Sequence, residues 1–406
     1  MVETPSPAAP LRDKRVVLGV SGSIAAYKAF EIARRLEDCG AVVDVALTPN
    51  ADRFAPAFTF RNLVSGDVAV DMWATDVISE LHVEMGRRAD AFVVAPASAT
   101  TLAKLAQGIG DSMLTLTALA TTAPIAVAPA MDARMYANAA VQQNVEKLRA
   151  RGVLVAGPAR GRLASGREGL GRMVEPVEVV GATRALIGRH AGDLRSKHVV
   201  VTAGGTREAI DPVRFVGNHS TGKMGFAVAE AARDRGAAVT LITTQEPPPG
   251  MFGVVIRRVT SAAEMKAAVD ERVAGTDALV MAAAVADYRP VEAAEQKIKK
   301  SGSAPTIALE ETADIVAGVE GKLVKVGFAA ETEDLVANAR KKVEAKGLDF
   351  IVANDVSEAD ANSGFGTETN QVTVLDRDGG SEQLPLLHKY DVALRILDRI
   401  AERLPS

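Results

Sequence analysis

Five histidines and one cysteine leave few side chains for proton or metal chemistry in this chain of 406 residues. His82, in Glu80-Leu81-His82-Val83, has no second histidine three or four residues away, so a metal pair is unsupported. Its near-neutral titration suits general acid–base work or holding a carboxylate, although a structural histidine shows the same spacing. Gly22-Ser23-Ile24 lies between a β-branched run and an Ala-rich helical pattern. Backbone N–H groups at such a junction favour a phosphate, and a plain tight turn uses the same residues. Without GxGxxG, a single phosphate is favoured over a dinucleotide pyrophosphate. Asp287 closes an apolar run, placed to meet a Mg²⁺ that a nucleoside triphosphate brings or to cap a turn. Lys297, Lys299 and Lys300 precede Ser301-Gly302-Ser303. They form either a cationic loop that folds over a triphosphate or a solvated charged face. Lys342 and Lys346, four apart, share one helical face. Residues 217–224 read G-x-x-x-x-G-K-M, a P-loop without its Mg²⁺-holding Ser/Thr.

The elements that must position these groups repeat one theme twice. Residues 15–20 predict a strand, 24–36 a helix closed by Gly40, and 41–47 a second strand. Buried strands are expected at 91–95 and 125–128, with helices at 100–106 and 141–151. Thr48 and Ser98 follow two of these strands, where ligands bind in open α/β sheets. The theme restarts with a strand at 198–202, the turn Gly204-Gly205, a helix at 225–235 and a strand at 237–243. The two glycines let backbone approach a phosphate. Later strands are expected at 278–283, 325–328, 350–353 and 371–375, with a helix at 335–346. The apolar-poor segment Arg189–Lys197 reads as the joint. The fold class is α/β, with two doubly wound Rossmann-like domains spanning 1–194 and 195–406.

Composition narrows the function classes. Hydrophobic residues make 48% and charged residues 24%, which excludes a disordered or supercharged chain. A net charge of −4 argues against a nucleic-acid surface. The single Cys39 excludes an intrachain disulfide framework and, before Gly40 at a helix end, reads as packing. No signal peptide or membrane span is legible, so a soluble, cytoplasmic protein is expected.

Gly22-Ser23-Ile24-Ala25-Ala26-Tyr27-Lys28, His82, Ala95-Pro96-Ala97 and Pro129-Ala130-Met131 with Met135 resemble the flavin-dependent cysteine decarboxylases. They are most similar to the N-terminal half of the bifunctional phosphopantothenoylcysteine decarboxylase/phosphopantothenate–cysteine ligases of coenzyme A synthesis, over residues 13–180. The resemblance implies FMN at a subunit contact, with Gly22, Ser23, Ile24, Thr48 and Ser98 binding it and His82 catalytic. Two positions depart from the family. Asp132 stands where the family has Asn to hold the substrate carboxylate, which an ionised Asp repels. Ser165, in the glycine-bearing segment Gly161–Gly166, stands where a mobile flap carries a proton-donating cysteine. With Ser165 a weak acid, Asp132 or a water is expected to donate the proton, and the glycines to let the flap close.

The later motifs resemble the ligase half of the same family, over 197–400. They are Thr202–Glu208, Asp211-Pro212-Val213-Arg214, Asn218–Gly225, Ala283–Tyr288, Lys297–Lys300, Gly327–Thr332 and Ala353-Asn354-Asp355. The resemblance implies a CTP-dependent joining of 4′-phosphopantothenate to L-cysteine through an acyl-cytidylate, followed by decarboxylation to 4′-phosphopantetheine. Lys297 supports nucleotidyl transfer and Asn218 handles the intermediate, with Arg214 nearby. The implied nucleotide pocket holds Met281, Ala282, Ala283, Asp287 (also the Mg²⁺ contact), Ala313, Asp314, Ile315, Val316, Phe328, Lys342 and Lys346. A homo-oligomer is implied, trimeric through the flavin half and dimeric through the ligase half, with a dodecamer compatible. A single-activity enzyme and a non-catalytic regulatory subunit are the rival expectations; a nicotinamide-linked reductase lacks its fingerprint in both halves.

Overall fold

The computed structural model describes residues 8–73, 80–299, 306–331, 335–355 and 366–405, with backbone alone at 330, 331 and 355. Lys300, Ser301, Gly302, Ser303 and Thr332, part of the motifs above, lie outside the described residues. Two compact units divide the chain. One comprises Ala9–Gly192 with residues 249–252; the other comprises Asp193–Pro248 and Gly253–Ser406.

In the N-terminal unit β1 (Arg15–Val20) runs through a 3-10 turn, Ile24–Tyr27, into α1 (Lys28–Asp38). Then come β2 (Val42–Leu47), α2 (Pro49–Asp52), α3 (Ala57–Arg61), β3 (Val68–Ala69) and α4 (Leu81–Arg88). β4 (Ala91–Ala97), α5 (Ala99–Gln107), α6 (Met113–Ala120), β5 (Ile125–Pro129), α7 (Ala133–Tyr136), α8 (Ala139–Ala150) and β6 (Leu154–Val155) follow. A hairpin of β7 (Ala159–Arg162) and β8 (Glu168–Arg172) leads into α9 (Pro176–Ala191). The six-stranded parallel sheet has the order β3-β2-β1-β4-β5-β6, the doubly wound order with its reversal between β1 and β4. All seven residues of β4 are buried, as helices on both faces require, which is why its sequence shows no alternation. Cys39 packs against this core.

The C-terminal unit repeats the plan. β9 (His198–Ala203), the hairpin β10 (Arg207–Ala209) and β11 (Phe215–Gly217), α10 (Lys223–Asp234), β12 (Ala238–Thr243), β13 (Val255–Arg258), α11 (Ala262–Arg272) and β14 (Ala278–Met281) come first. β15 (Tyr288–Pro290), β16 (Leu309–Glu311), β17 (Val324–Glu331), α12 (Leu335–Lys346) and β18 (Phe350–Asp355) follow. β19 (Thr369–Asn370), β20 (Val372–Asp376), β21 (Ser381–Gln383), β22 (Leu387–His388) and α13 (Lys389–Arg403) end the chain. The sheet order is β13-β12-β9-β14-β17-β18-β20-β21, parallel through β18 and antiparallel for the last two strands.

Three local expectations are corrected. The helix expected at 24–36 is split, because Ser23 caps a 3-10 turn before the α-helix starts at Lys28. The expected strand 278–283 ends at Met281, where the chain turns to bond with the loop after β9. The segment from Arg189 is not yet a joint: α9 continues to Ala191, begun by a Glu175/Glu178 capping box with Pro176 at its first position.

Candidate functional sites

Along the carboxyl edge of the N-terminal sheet, adjacent strand ends each begin a helical turn under a hydroxyl cap. Ser23 Oγ accepts from Ala25 N–H (3.3 Å), Thr48 Oγ1 from Ala51 N–H (3.2 Å) and Ser98 Oγ from Thr101 N–H (3.3 Å). Ser21 ties these ends together: its Oγ donates to the Pro96 carbonyl (2.8 Å) and accepts from Ser98 N–H (2.9 Å). At Gly22 a Cβ would lie 2.7 Å from that of Asn50, so only glycine lets the first two loops touch. Ser23, Thr48 and Ser98 therefore serve their own helices with their hydroxyls.

A cavity of about 490 Å³ opens beside them. Ser23, Ile24, Met131, Asp132, Arg162 and Ser165 are among its walls. Lys28, almost wholly buried, lines it too and is held by Glu175 at 2.8 Å. That contact holds the Glu175 carboxyl below its ordinary pKa. Asp132 caps α7 by accepting from Arg134 N–H (2.9 Å), and Ser165 Oγ donates to its Oδ2 (3.0 Å). The Arg134 amide and then the Ser165 hydroxyl hold the Asp132 carboxyl below its ordinary pKa. In this arrangement Asp132 is thus a hydrogen-bond acceptor toward the hydroxyl of Ser165. Two glycines of this hairpin have local roles. At Gly169 a Cβ would lie 2.5 Å from that of Ala133, so this glycine serves close packing against α7. Gly166, at φ +77°, makes the tip turn with its N–H on the Leu163 carbonyl. Thr48, Ser98 and His82 do not line this cavity; His82 is half-buried as the second residue of α4. The capped strand ends suit a phosphate tail, and walls of Ile24, Met131, Leu163 and Met173 suit an apolar ring, so the unit fits a flavin mononucleotide.

In the C-terminal unit a cavity of about 900 Å³ gathers distant segments. Met281, Ala283 and Asp287 come from β14 and its loop, Ala313–Val316 from beyond β16, Phe328 from β17, and Lys342 and Lys346 from α12. Asn218 lines it from beyond β11, its Nδ2 donating to the Val285 carbonyl (3.0 Å). Gly204 and Gly205 also join two loops. The Gly204 carbonyl accepts from Ala284 N–H (2.9 Å), and a Cβ on Gly205 would strike the Asn218 carbonyl. Thr206 Oγ1 adds a bond from Ala286 N–H (2.9 Å), so the loops after β9 and β14 are laced into one wall.

Partial burial works against ionisation of Asp314, yet Lys346 at 2.9 Å and the Ala317 N–H at 3.1 Å bring its pKa below the ordinary value. Lys346 therefore faces the cavity with its charge already paired. Arg214 and Lys297 do not line the cavity, and Ala282 lines a smaller adjoining one. Arg214 pairs with Asp211 and donates to the Ile298 carbonyl (2.9 Å), while Ile298 N–H returns to Asp211 Oδ2 (3.2 Å). Asp211 is held far below the usual carboxylate range, chiefly by the Arg214 guanidinium. This staple fixes the exposed segment carrying Lys297 to the β10–β11 hairpin. His219, Tyr288 and Thr312 also line the large cavity and were not singled out by sequence; His219 sat unremarked inside the Asn218 motif. Among the described residues no group of three His, Cys, Asp or Glu could hold a metal. The exposed Asp287 fits a Mg²⁺ that is otherwise held by phosphates. No helix of the described residues is long and apolar enough to cross a membrane.

The flavoprotein family matches residues 5–188, and the DNA/pantothenate metabolism flavoprotein C-terminal domain family matches residues 194–404. The coenzyme A biosynthesis bifunctional protein CoaBC of Bacillus subtilis is 43% identical over 399 residues, covering 96% of this chain and 97% of its own. That of Escherichia coli K12 is 42% identical over 404 residues, covering 97% and 98%. The chain belongs to the CoaBC family. A solved C-terminal domain of a CoaBC protein is 38% identical over 52% of this chain and 97% of its own, with a TM-score of 0.44. A PPC decarboxylase mutant complexed with pantothenoylaminoethenethiol is 33% identical over 43% of this chain and 97% of its own, with a TM-score of 0.39. The two family matches, with the near full-length relatives, cover both the flavoprotein half and the C-terminal half.

Proposed function

We propose that this bifunctional enzyme of coenzyme A biosynthesis first joins L-cysteine to 4′-phosphopantothenate and then decarboxylates the product to 4′-phosphopantetheine. The observation that carries the ligase step is the large C-terminal cavity, which brings Asn218, Met281, Ala283, Asp287, residues 313–316, Phe328, Lys342 and Lys346 together from separate segments. CTP is the co-substrate in this proposal. The acyl carboxylate attacks its α-phosphorus, pyrophosphate leaves, and an acyl-cytidylate remains. The cysteine amine then attacks the acyl carbon, CMP departs, and the amine proton is lost. Asn218, fixed by the Val285 carbonyl, orients the intermediate. Lys297, carried on the Asp211–Arg214 staple, stabilises charge developing at the α-phosphate. Mg²⁺ held by Asp287 would neutralise the triphosphate.

For the second step, FMN when bound supplies reversible two-electron oxidation of the thiol-bearing carbon, which lets carbon dioxide leave. Gly22, Ser23 and Ile24 would hold it, with Thr48 and Ser98 at the neighbouring strand ends. Asp132 accepts from the Ser165 hydroxyl and positions it at the cavity, and a water delivers the proton. Because His82 does not line its own chain's cavity, the proposal completes the site at a subunit contact. Exposed Ile24, Tyr27 and Met135 support such an assembly, trimeric through this half and dimeric through the other. The proposal places the enzyme in the cytoplasm.

The test is one run of purified protein with 4′-phosphopantothenate, cysteine, Mg²⁺ and either CTP or ATP, with products weighed by mass spectrometry. Phosphopantetheine formed with CTP is expected. Accumulated phosphopantothenoylcysteine, or a species two hydrogens short of the final product, would refute the complete decarboxylase.

A further inference from the structure

Amide formation sheds a proton from the cysteine nitrogen, and the proposed roles of Asn218, Asp287, Lys297 and the α12 lysines give that proton no recipient. His219 lines the large C-terminal cavity and none of those roles uses it. It follows Asn218 directly in the chain, beside the residue that orients the acyl-cytidylate.

The backbone is fixed on both sides of His219. Asn218 Nδ2 donates to the Val285 carbonyl (3.0 Å), and the Asn218 carbonyl packs against Gly205, where a Cβ would strike it. On the other side Ser220 Oγ accepts from Gly222 N–H (3.4 Å), just ahead of α10. The His219 ring is exposed, and among the described residues no hydrogen bond or ion pair engages it. A proton acceptor needs a set position, a ring nitrogen free of other partners and a way to pass its proton on to water. His219 meets all three.

The other titratable walls of the cavity do not compete. Asp314 is already paired with Lys346 at 2.9 Å, and Asp287 is the proposed Mg²⁺ contact. Glu311 lines the cavity too, but a carboxylate is by type too weak a base to hold an amine's proton near neutral pH. Lysine ammoniums and a tyrosine phenol, here Lys342, Lys346 and Tyr288, are of types that ordinarily carry their protons at that pH. An imidazole is the one side chain whose type both takes and returns a proton there.

We propose that His219 is the general base of amide formation, an assignment that rests on the acyl-cytidylate reading of the ligase step. The cysteine amine attacks the acyl carbon, and its nitrogen becomes cationic as the C–N bond forms. The bond from that carbon to the phosphate oxygen breaks, and its electron pair leaves with CMP. One N–H proton passes to the neutral ring of His219, and the imidazolium returns it to water. The earlier half of the reaction needs no such acceptor, because the group that attacks the α-phosphorus is already a carboxylate.

The full-length chain and its His219→Gln and His219→Ala variants would be given 4′-phosphopantothenate, CTP and Mg²⁺ first and cysteine second. Single turnovers would be quenched, with pyrophosphate, acyl-cytidylate and amide counted separately. Both variants are expected to release pyrophosphate at nearly the wild-type rate, which also shows that they fold. Amide formation is expected to fall about a hundredfold, the lower end of general-base assistance, so that acyl-cytidylate accumulates. Added imidazole should restore amide formation in His219→Ala in proportion to its unprotonated form. Amide formation at the wild-type rate in both variants overturns the proposal. So does an equal loss of pyrophosphate and amide, which assigns His219 to the first half or to folding. A selective loss of amide that imidazole does not relieve makes His219 a positioning residue and overturns the base. Phosphate released in place of pyrophosphate by the wild-type chain would refute the acyl-cytidylate reading by itself, and the imidazole-relieved loss of amide would still decide His219.

Discussion

Ser165 donates its hydroxyl proton to Asp132 across 3.0 Å, joining the tip of the β7–β8 hairpin to the cap of α7. The resemblance read from the sequence sets Asn and Cys at these two places, and in this chain the residues that stand there face each other. An Asn and a Cys at these places would pair an amide with a weak acid. Here an ionised carboxylate accepts from a hydroxyl, which makes the pair a positioning device in the ground state.

Replacing Asp132 with Ala is expected to cut phosphopantetheine formation about tenfold or more, the scale of the charge-assisted hydrogen bond that positions Ser165. Cysteine ligation should continue unchanged. Carbon dioxide release at the wild-type rate would acquit Asp132 of any part in the chemistry.

The pH dependence of that step follows from the same pair. The folded-state pKa of Asp132 is lowered, so the carboxylate contributes above its ordinary value of 3.8 and its contribution is lost as pH falls through the lower folded value. Decarboxylation between pH 5 and 8 should therefore show no limb from Asp132. An acid limb near pH 5 that vanishes in Asp132→Asn would contradict this.

Asp211→Asn should loosen the segment carrying Lys297, since Asp211 accepts from both Arg214 and Ile298 N–H. Pyrophosphate release is expected to fall about tenfold, the value of one or two charge-assisted hydrogen bonds. Hydrogen exchange at Ile298 should quicken in parallel. Wild-type exchange at Ile298 with slowed turnover would mean that Asp211 acts otherwise than by holding this segment.

Chelation by EDTA should stop amide formation and spare decarboxylation of supplied phosphopantothenoylcysteine. Asp287→Asn should raise the Mg²⁺ concentration needed for half-maximal ligation. An unchanged requirement would remove Asp287 from the metal's contacts.

A stability prediction concerns Asp44, wholly buried in β2 and bonded to Arg15 (3.0 Å) and Arg88 (2.8 Å). Asp44→Ala leaves Arg15 without its carboxylate and Arg88 with Asp67 alone. Because each cation is about one-quarter exposed, the expected loss is about 2–3 kcal/mol, below the range for fully buried pairs. Thermal unfolding followed by tryptophan and far-UV signals would read it as a drop of several degrees.

Much of this molecule was legible from residue order alone. The runs at 15–20, 198–202 and 350–353 are strands because β-branched and apolar residues crowd into a few positions between turn residues. Two occurrences of one strand–turn–helix–strand theme correspond to two sheets with the same doubly wound order. That the motif residues near Asn218, Met281, Ala313 and Phe328 converge was implied by the family resemblance; strand ends alone bring together only the neighbourhood of β14 and β17, since Asn218 and Ala313 follow strands of separate hairpins. Only the tertiary structure decided what those groups do to one another. It added β20 and β21 antiparallel to the edge, since nothing local specifies which strand a run will pair with. It gave Asp314 to Lys346, turned Gly204 and Gly205 into the join between two loops, and left His82 outside its own cavity. Lys389 and Asn354 meet α10 across long stretches of chain. Charge pairing, close packing and burial depend on distances through space, and a linear pattern carries those only where the chain itself is short.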